Sequence, residues 1–384
     1  GNARDALTSE VNLGELLFSR GEIDQAMARF DRFIDIYNTS DGRLNATELV
    51  AVGRAVRYLG RSNPDLFQDA LRAFDEAASI APTWHEPNVR AGELFLEKYS
   101  STNAQGEFKK VLAVNPRHPG ALLGLAKALE FDGTSDAGRV LAQLLEINPN
   151  HVEGRALLAN QHLTRERYQD ANEQVEIALA VNPNSLVALT ALAGTHLLSG
   201  DLERFQQVRD RVLQLNPRYS GLDSKLAELA VKTRRYGDAV SRAEAAVQLD
   251  PYSWTAWGLL GMNELRLGDV ERGRAHLERA FEGDPYNPWF KNNLDLLDTF
   301  ERFEIHATDH FELFLHGTES DLLATYLAPI AEEAYASLAR RYESEPLLPV
   351  RAEFFPSHAD FSVRTLGETG LGALGVSFGR VLVM

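Results

Sequence analysis

His306 and His310 stand four apart in the segment HATDH, the spacing with which two imidazoles share one face of a zinc-binding helix. Hydrolysis at such a pair needs a glutamate directly after the first histidine as general base, and that position is Ala307. The flanking residues read as a loop running into a strand, so both rings are expected to be structural or solvated. His316 adds a third ring nearby without completing a pattern. Thiolate metal sites and disulfides are excluded, because the chain has no cysteine. Gly375-Val-Ser-Phe-Gly379 has the letters of a Gly-x-Ser-x-Gly segment, but it runs into the strand read at Gly379–Met384 instead of leading from a strand into a helix, so it is not a nucleophile elbow. No Gly-x-x-x-x-Gly-Lys loop is present to cradle phosphate. Gly370–Gly375 is rich in glycine but holds no basic residue, and it reads as a loop. Lys232–Arg235 is a short basic cluster expected at a solvated turn. These residues nominate no catalytic group, no metal ligand and no cofactor within the chain.

The elements that must position any site declare themselves through proline. Pro82, Pro116, Pro149, Pro183, Pro217, Pro251 and Pro285 are separated by 34, 33, 34, 34, 34 and 34 residues. Four of them follow asparagine and two follow aspartate. Within the last unit, Trp257, Leu260 and Gly261 precede Gly268, Gly273, Ala280 and Pro285. Leu260 and Gly261 fall on one face of a first helix, and the small residue lets a second helix approach. Gly268 ends the first helix in a left-handed C-cap, and the proline stops the second. Leu226-Ala227, Leu192-Ala193, Leu158-Ala159, Leu125-Ala126 and Ala91-Gly92 repeat the pattern. Farther upstream, Ala70, Phe74 and Ala77 keep it, as do Leu13, Gly14, Gly21, Ala26, Phe30 and Phe33. About eight helix pairs are predicted over residues 4–287. Neither helix of a pair can bury its apolar face alone, so neighbours stack. Phe290, Leu294, Leu297 and Phe300 predict a capping helix within 288–303.

This pattern resembles the tetratricopeptide repeat almost position for position. The resemblance implies a mainly α fold, a right-handed superhelix, whose first helices line a concave groove that holds a protein or peptide. Groove positions carried over from the family are Asn160, Leu163, Thr190, Gly194, Leu197, Ser224, Glu228, Val231, Gly258, Met262 and Leu265. The lysine and asparagine clamp that some relatives use for C-terminal carboxylates is missing, since Ala156 and Ser224 occupy the lysine positions. His162 and His196 take the place of the family's tyrosine and are expected to pack between helices. His85, His118 and His151 fall at repeat entries and are expected to be exposed.

Past Phe303 the periodicity changes, predicting a small α+β segment over 304–384. Phe311, Leu313 and Leu315 alternate as in a strand. Leu323, Leu327, Ile330, Ala334, Leu338 and Tyr342 follow helical spacing, with Pro329 expected to kink the helix. Val350–Phe355 and Gly379–Met384 read as further strands. Ser357 is placed to cap a short helix. The order of these pieces, with Thr308–Phe311, Glu333–Leu338, Phe355–Phe361 and Gly375–Val381, resembles the front half of the peptidase MA-like, gluzincin-type domains fused behind tetratricopeptide repeats in some bacterial proteins. In that family a zinc-binding His-Glu-x-x-His helix follows. It is not in this chain, so the resemblance carries over no catalytic or metal residue. It implies zinc only in a longer parent protein.

The net charge of −16 disfavours nucleic acid and anionic lipid as partners. No run of eighteen apolar residues exists, so no membrane span is expected. Residues 1–3 read as the scar of a cleaved tag, and the apolar final strand suggests that a domain continues. The functional expectation is a non-catalytic, protein-binding scaffold, the recognition part of a larger metallopeptidase. The alternative is a pure adaptor with a self-contained C-terminal cap. The compartment is left open between cytoplasm and export.

Overall fold

The computed structural model of the protein describes residues 3–384. The chain divides into two compact units, one running to Lys225 and one from Leu226 to Met384.

The first unit is built from antiparallel helix pairs. These are α1 (Ala3–Ser19) with α2 (Ile23–Thr39), α3 (Ala46–Leu59) with α4 (Leu66–Ile80), and α5 (Glu86–Glu97) with α6 (Ser101–Val114). They continue as α7 (Pro119–Phe131) with α8 (Asp136–Ile147), α9 (Val152–Leu163) with α10 (Tyr168–Val181), and α11 (Leu186–Leu198) with α12 (Leu202–Leu215). Helix α13 (Gly221–Lys232) crosses the division. In the second unit follow α14 (Tyr236–Leu249), α15 (Trp254–Arg266) paired with α16 (Val270–Gly283), and the capping helix α17 (Pro288–Leu297).

Two kinds of turn punctuate the pairs. Inside a pair, one residue takes the left-handed conformation that glycine adopts at least cost: Gly21, Gly133, Gly200 and Gly268, but also Tyr99, Glu166 and Arg234. Between pairs, the Asn-Pro or Asp-Pro dipeptide does the work. The side-chain oxygens of Asn115, Asn148, Asn182, Asn216 and Asp250 accept the N–H two residues on. The next helix is then capped. Ser185 Oγ accepts from Ala188 N, and His118 and His151 accept through Nδ1 from Ala121 N and Gly154 N. These two histidines are therefore half-buried caps, not the exposed residues expected of repeat entries.

Close approach within a pair follows a small-against-large rule. A Cβ added at Gly53 would lie 2.4 Å from the Phe74 ring, and one at Gly92 would lie 2.7 Å from Phe108. At Gly261 it would meet the Gly273 carbonyl at 2.7 Å, so there the two backbones themselves are in contact. Ala104, Phe108 and Val111 are wholly buried, as are Ala171, Val175 and Ala178. Helix α17 ends this packing: Phe290 and Leu297 join Leu265, Leu277 and Ala280 in one apolar cluster, with Leu294 and Phe300 at its margin.

The rest of the second unit is a five-stranded sheet of order β1-β2-β3-β5-β4. Its strands are β1 (Phe303–Ala307), β2 (Phe311–His316), β3 (Val350–Phe354), β4 (Val376–Ser377) and β5 (Val381–Val383). The outer pairs are antiparallel and the two inner pairings are parallel. Helix α18 (Ser320–Tyr342) lays Leu323, Leu327, Ala331 and Tyr335 on Phe311, Leu313, Leu315, Val350 and Ala352. It runs through Pro329 as one element. Pro329 and Thr325, whose carbonyl the missing N–H would have bonded, are both exposed, so water can satisfy that carbonyl. Helix α19 (His358–Leu366) starts on the Ser357 hydroxyl, which accepts from Asp360 N. On the sheet's other face Phe361, Phe378, Val381 and Val383 form a second cluster.

Candidate protein-binding face

Which side of the helix pairs could face a partner follows from how neighbouring pairs touch. In the first unit the first helices pack on one another: α1 on α3, α3 on α5, α5 on α7, and α9 on α11. No two successive second helices make comparable contact among the described residues. Helices crowd on the inside of a curve, so the first helices form the inner face of this unit.

The positions nominated there are less open than a wide groove would make them. In the first unit Asn160 and Leu197 are half-buried, whereas Leu163, Thr190, Gly194 and Ser224 are buried. Asn160 Oδ1 and Ser224 Oγ are shielded from water and have no hydrogen-bond partner. In the second unit Glu228, Val231 and Met262 are half-buried. Gly258 and Leu265 offer no open surface. The cap helix occupies that place, with Phe290 where a Gly258 side chain would point, and Leu265 belongs to the same apolar cluster.

His162 and His196 lie half-buried on the first helices, and burial lowers the pKa of each. The other inner acid of note, Glu264, sits 2.5 Å from His276 Nδ1 and 2.8 Å from Arg272. Burial raises its pKa, the bonds to His276 and Arg272 acting in the opposite direction.

The structure separates the two histidines of HATDH. His306 lies on β1, a strand that sequence reasoning had read as loop, and there it shares a corner with Glu304 and with Asp321 of α18. The three possible ligand atoms lie within 4.8 Å of one another, but Glu304 already accepts the Ser320 hydroxyl at 2.5 Å, at the first turn of α18. That corner ties β1 to the start of α18. His310 turns to Glu332 instead, 2.6 Å from its carboxylate, and stacks on Tyr335 with ring centroids 3.8 Å apart. Glu332 also accepts from Thr308 Oγ1 and the His310 N–H; these bonds hold its pKa below the ordinary value.

Two groups that no motif announces join the sheet to the repeats. Arg364 of α19 is buried and forms an ion pair with Glu353 of β3 at 2.6 Å. Arg351 holds the other Glu353 oxygen at 2.7 Å. Arg364 also donates to the Leu265 carbonyl at 2.8 Å, and Arg380 to that of Leu267 at 3.2 Å. Both carbonyls belong to the C-terminal end of α15, where backbone acceptors lack partners within the helix and cations are favoured. An acid amid the apolar residues of β3 was the available signal for this junction.

The model of the tetratricopeptide repeat matches residues 156–219 and 224–288. The chain is 33% identical over 79 residues to tetratricopeptide repeat protein 33 of Homo sapiens and of Mus musculus. Each match spans 21% of this chain and 30% of the relative's length. Among solved structures, a tetratricopeptide repeat protein from Parabacteroides merdae superposes with a TM-score of 0.43 at 18% identity, covering 66% of this chain and 98% of that one. The APC/C hetero-tetramer Cut9-Hcn1 does so with a TM-score of 0.45 at 15% identity, covering 77% and 58%. Residues 156–219 and 224–288 thus carry helix pairs of the tetratricopeptide repeat kind, the pairs before them have the same form, and a small α+β segment follows.

Proposed function

We propose that the inner face of the first unit holds an extended protein or peptide segment, as the binding part of a scaffold. The observation that carries this reading is the inner face itself, formed where the first helices pack on one another, with half-buried Asn160 and Leu197 on it. The small or polar side chains at Thr190, Gly194 and Ser224 keep this face free of bulk. No described helix is long and apolar enough to cross a membrane.

The test is selection of linear peptides on the whole protein, followed by Asn160→Ala and Leu197→Glu. Both substitutions should weaken binding of the selected peptides at least tenfold. Glu176→Lys, on the second helix of a pair, should not. Peptides that bind all three variants equally would end the reading.

For the α+β segment we propose the role of the front of a metallopeptidase-like domain in a longer protein. An apolar cleft of about 570 Å³ beside α18 supports this, lined by Ile330, Leu338, Tyr342, Phe354, Leu382 and Met384. It has room for a further element on the sheet. Reading the parent coding sequence for a His-Glu-x-x-His helix tests the idea, and the absence of one would leave the adaptor reading.

A further inference from the structure

The turn after α12 reaches far along the chain. Asn216 is 4% exposed, and its side-chain amide donates to the Ser19 carbonyl at 3.1 Å and to the Phe18 carbonyl at 3.5 Å. Its partners are 197 and 198 residues away. Both carbonyls end α1, where acceptors run short of helical partners; that of Phe18 also accepts the Gly21 N–H at 3.0 Å. On the facing side, Gly21 has φ of +80°, and a Cβ there would lie 2.5 Å from Asn216 Oδ1 and 3.1 Å from Pro217. A cavity of about 790 Å³ runs beside the contact, lined by Phe18, Arg20, Asn184, Val187, Asn216 and Tyr219.

The end of α1 thus meets the turn that leads from the sixth pair to the seventh. A curve of about six pairs has come round and touched itself.

We propose that Asn216 is a latch that fixes the pitch of the first unit, tying the turn after α12 to the end of α1. This inference stands whether or not a segment binds the inner face.

The latch has a specific probe. Asn216→Asp keeps the side-chain oxygen that accepts the Arg218 N–H, as Asp250 does for Tyr252 at the equivalent turn. It removes the amide donor and sets a carboxylate against two carbonyls. Because the protein has no cysteine, Arg20→Cys with Arg218→Cys gives a single pair of spin-label sites across the contact. The parent pair should show one short, narrow distance distribution. Asn216→Asp should broaden and lengthen it, while Asn148→Asp, at the equivalent turn two pairs earlier, should leave it unchanged. Identical distributions for Asn216→Asp and Asn148→Asp would overturn the latch. If Asn216→Asp abolishes helicity, Gly21→Ala presses on the same contact from the other side. An unchanged distance in that variant would overturn the proposal equally.

Discussion

The helix pairs and the sheet junction hold their neighbours in opposite ways. Between the helices of a pair the contact is apolar, with a glycine or alanine opposite an aromatic or a leucine, and the rule recurs every 34 residues. Between α15 and the sheet the contact is ionic, with one buried glutamate shared by two arginines, of which Arg364 also reaches a helix-end carbonyl. A repeated apolar contact loses a fraction when one copy is damaged. A single buried charge cluster has no second copy, and removing one member leaves the others unpaired in a low-dielectric site.

The comparison is broken most directly at Glu353. Glu353→Ala leaves Arg364 and Arg351 without their acid and should cost about 3–5 kcal/mol, concentrated in residues 303–384. Urea unfolding combined with hydrogen exchange should find the sheet destabilised while α3–α10 keep their protection. A uniform small loss would show that the junction is not the weak point.

Gly261→Leu tests the apolar side. Its side chain would have to enter the space of the Gly273 carbonyl and Leu277, which overpacks the pair by about 1–3 kcal/mol. Gly106, also inside a helix, has nothing within 4 Å of the added Cβ. Gly106→Ala should therefore gain up to about 1 kcal/mol from helix propensity. Thermal unfolding in which both variants moved in the same direction would contradict the small-against-large rule.

A smaller effect is expected at the left-handed turns. Tyr99, Glu166 and Arg234 adopt a backbone that costs an L-residue about 1–2 kcal/mol. Glu166→Gly and Arg234→Gly should each raise stability by about 1 kcal/mol or less, part of the gain being lost to glycine's freer unfolded chain. Lower melting temperatures would show that these side chains contribute more than their strain.

The smallest effect concerns Glu332, whose pKa is lowered by its bonds to Thr308 and His310. Its contribution is present above the ordinary carboxylate value of 4.5 and is lost as pH falls through the lowered one. Acid should therefore loosen the start of β2 from α18, and Glu332→Gln should remove that dependence. Amide exchange at His310 followed against pH reads both.

Local chemistry explains how much of this was legible. Asn-Pro turns, glycine C-caps and small-residue faces act within a few residues, so the helix pairs and the cap helix could be read directly. So could α18, α19 with its Ser357 cap, and the strands β2, β3 and β5. Strand β1 escaped because, as an edge strand with Glu304 and Ile305 both exposed, it lacks clean alternation. Strand β4 is two residues long. Crowding of the inner helices, burial of Gly258 by Phe290, and the reach of Asn216 all depend on residues distant in sequence. One asparagine among several in equivalent turns gives no sign that it differs from the others.

That asparagine limits how such a chain can change its length. Repeats grow or shrink by copying or dropping a block, and most block counts are equally foldable. Here a block inserted between Ser19 and Asn216 would carry the amide past its two acceptors by one pair's rotation. The stretch they bracket is therefore gauged, and lengthening without penalty is open only beyond it.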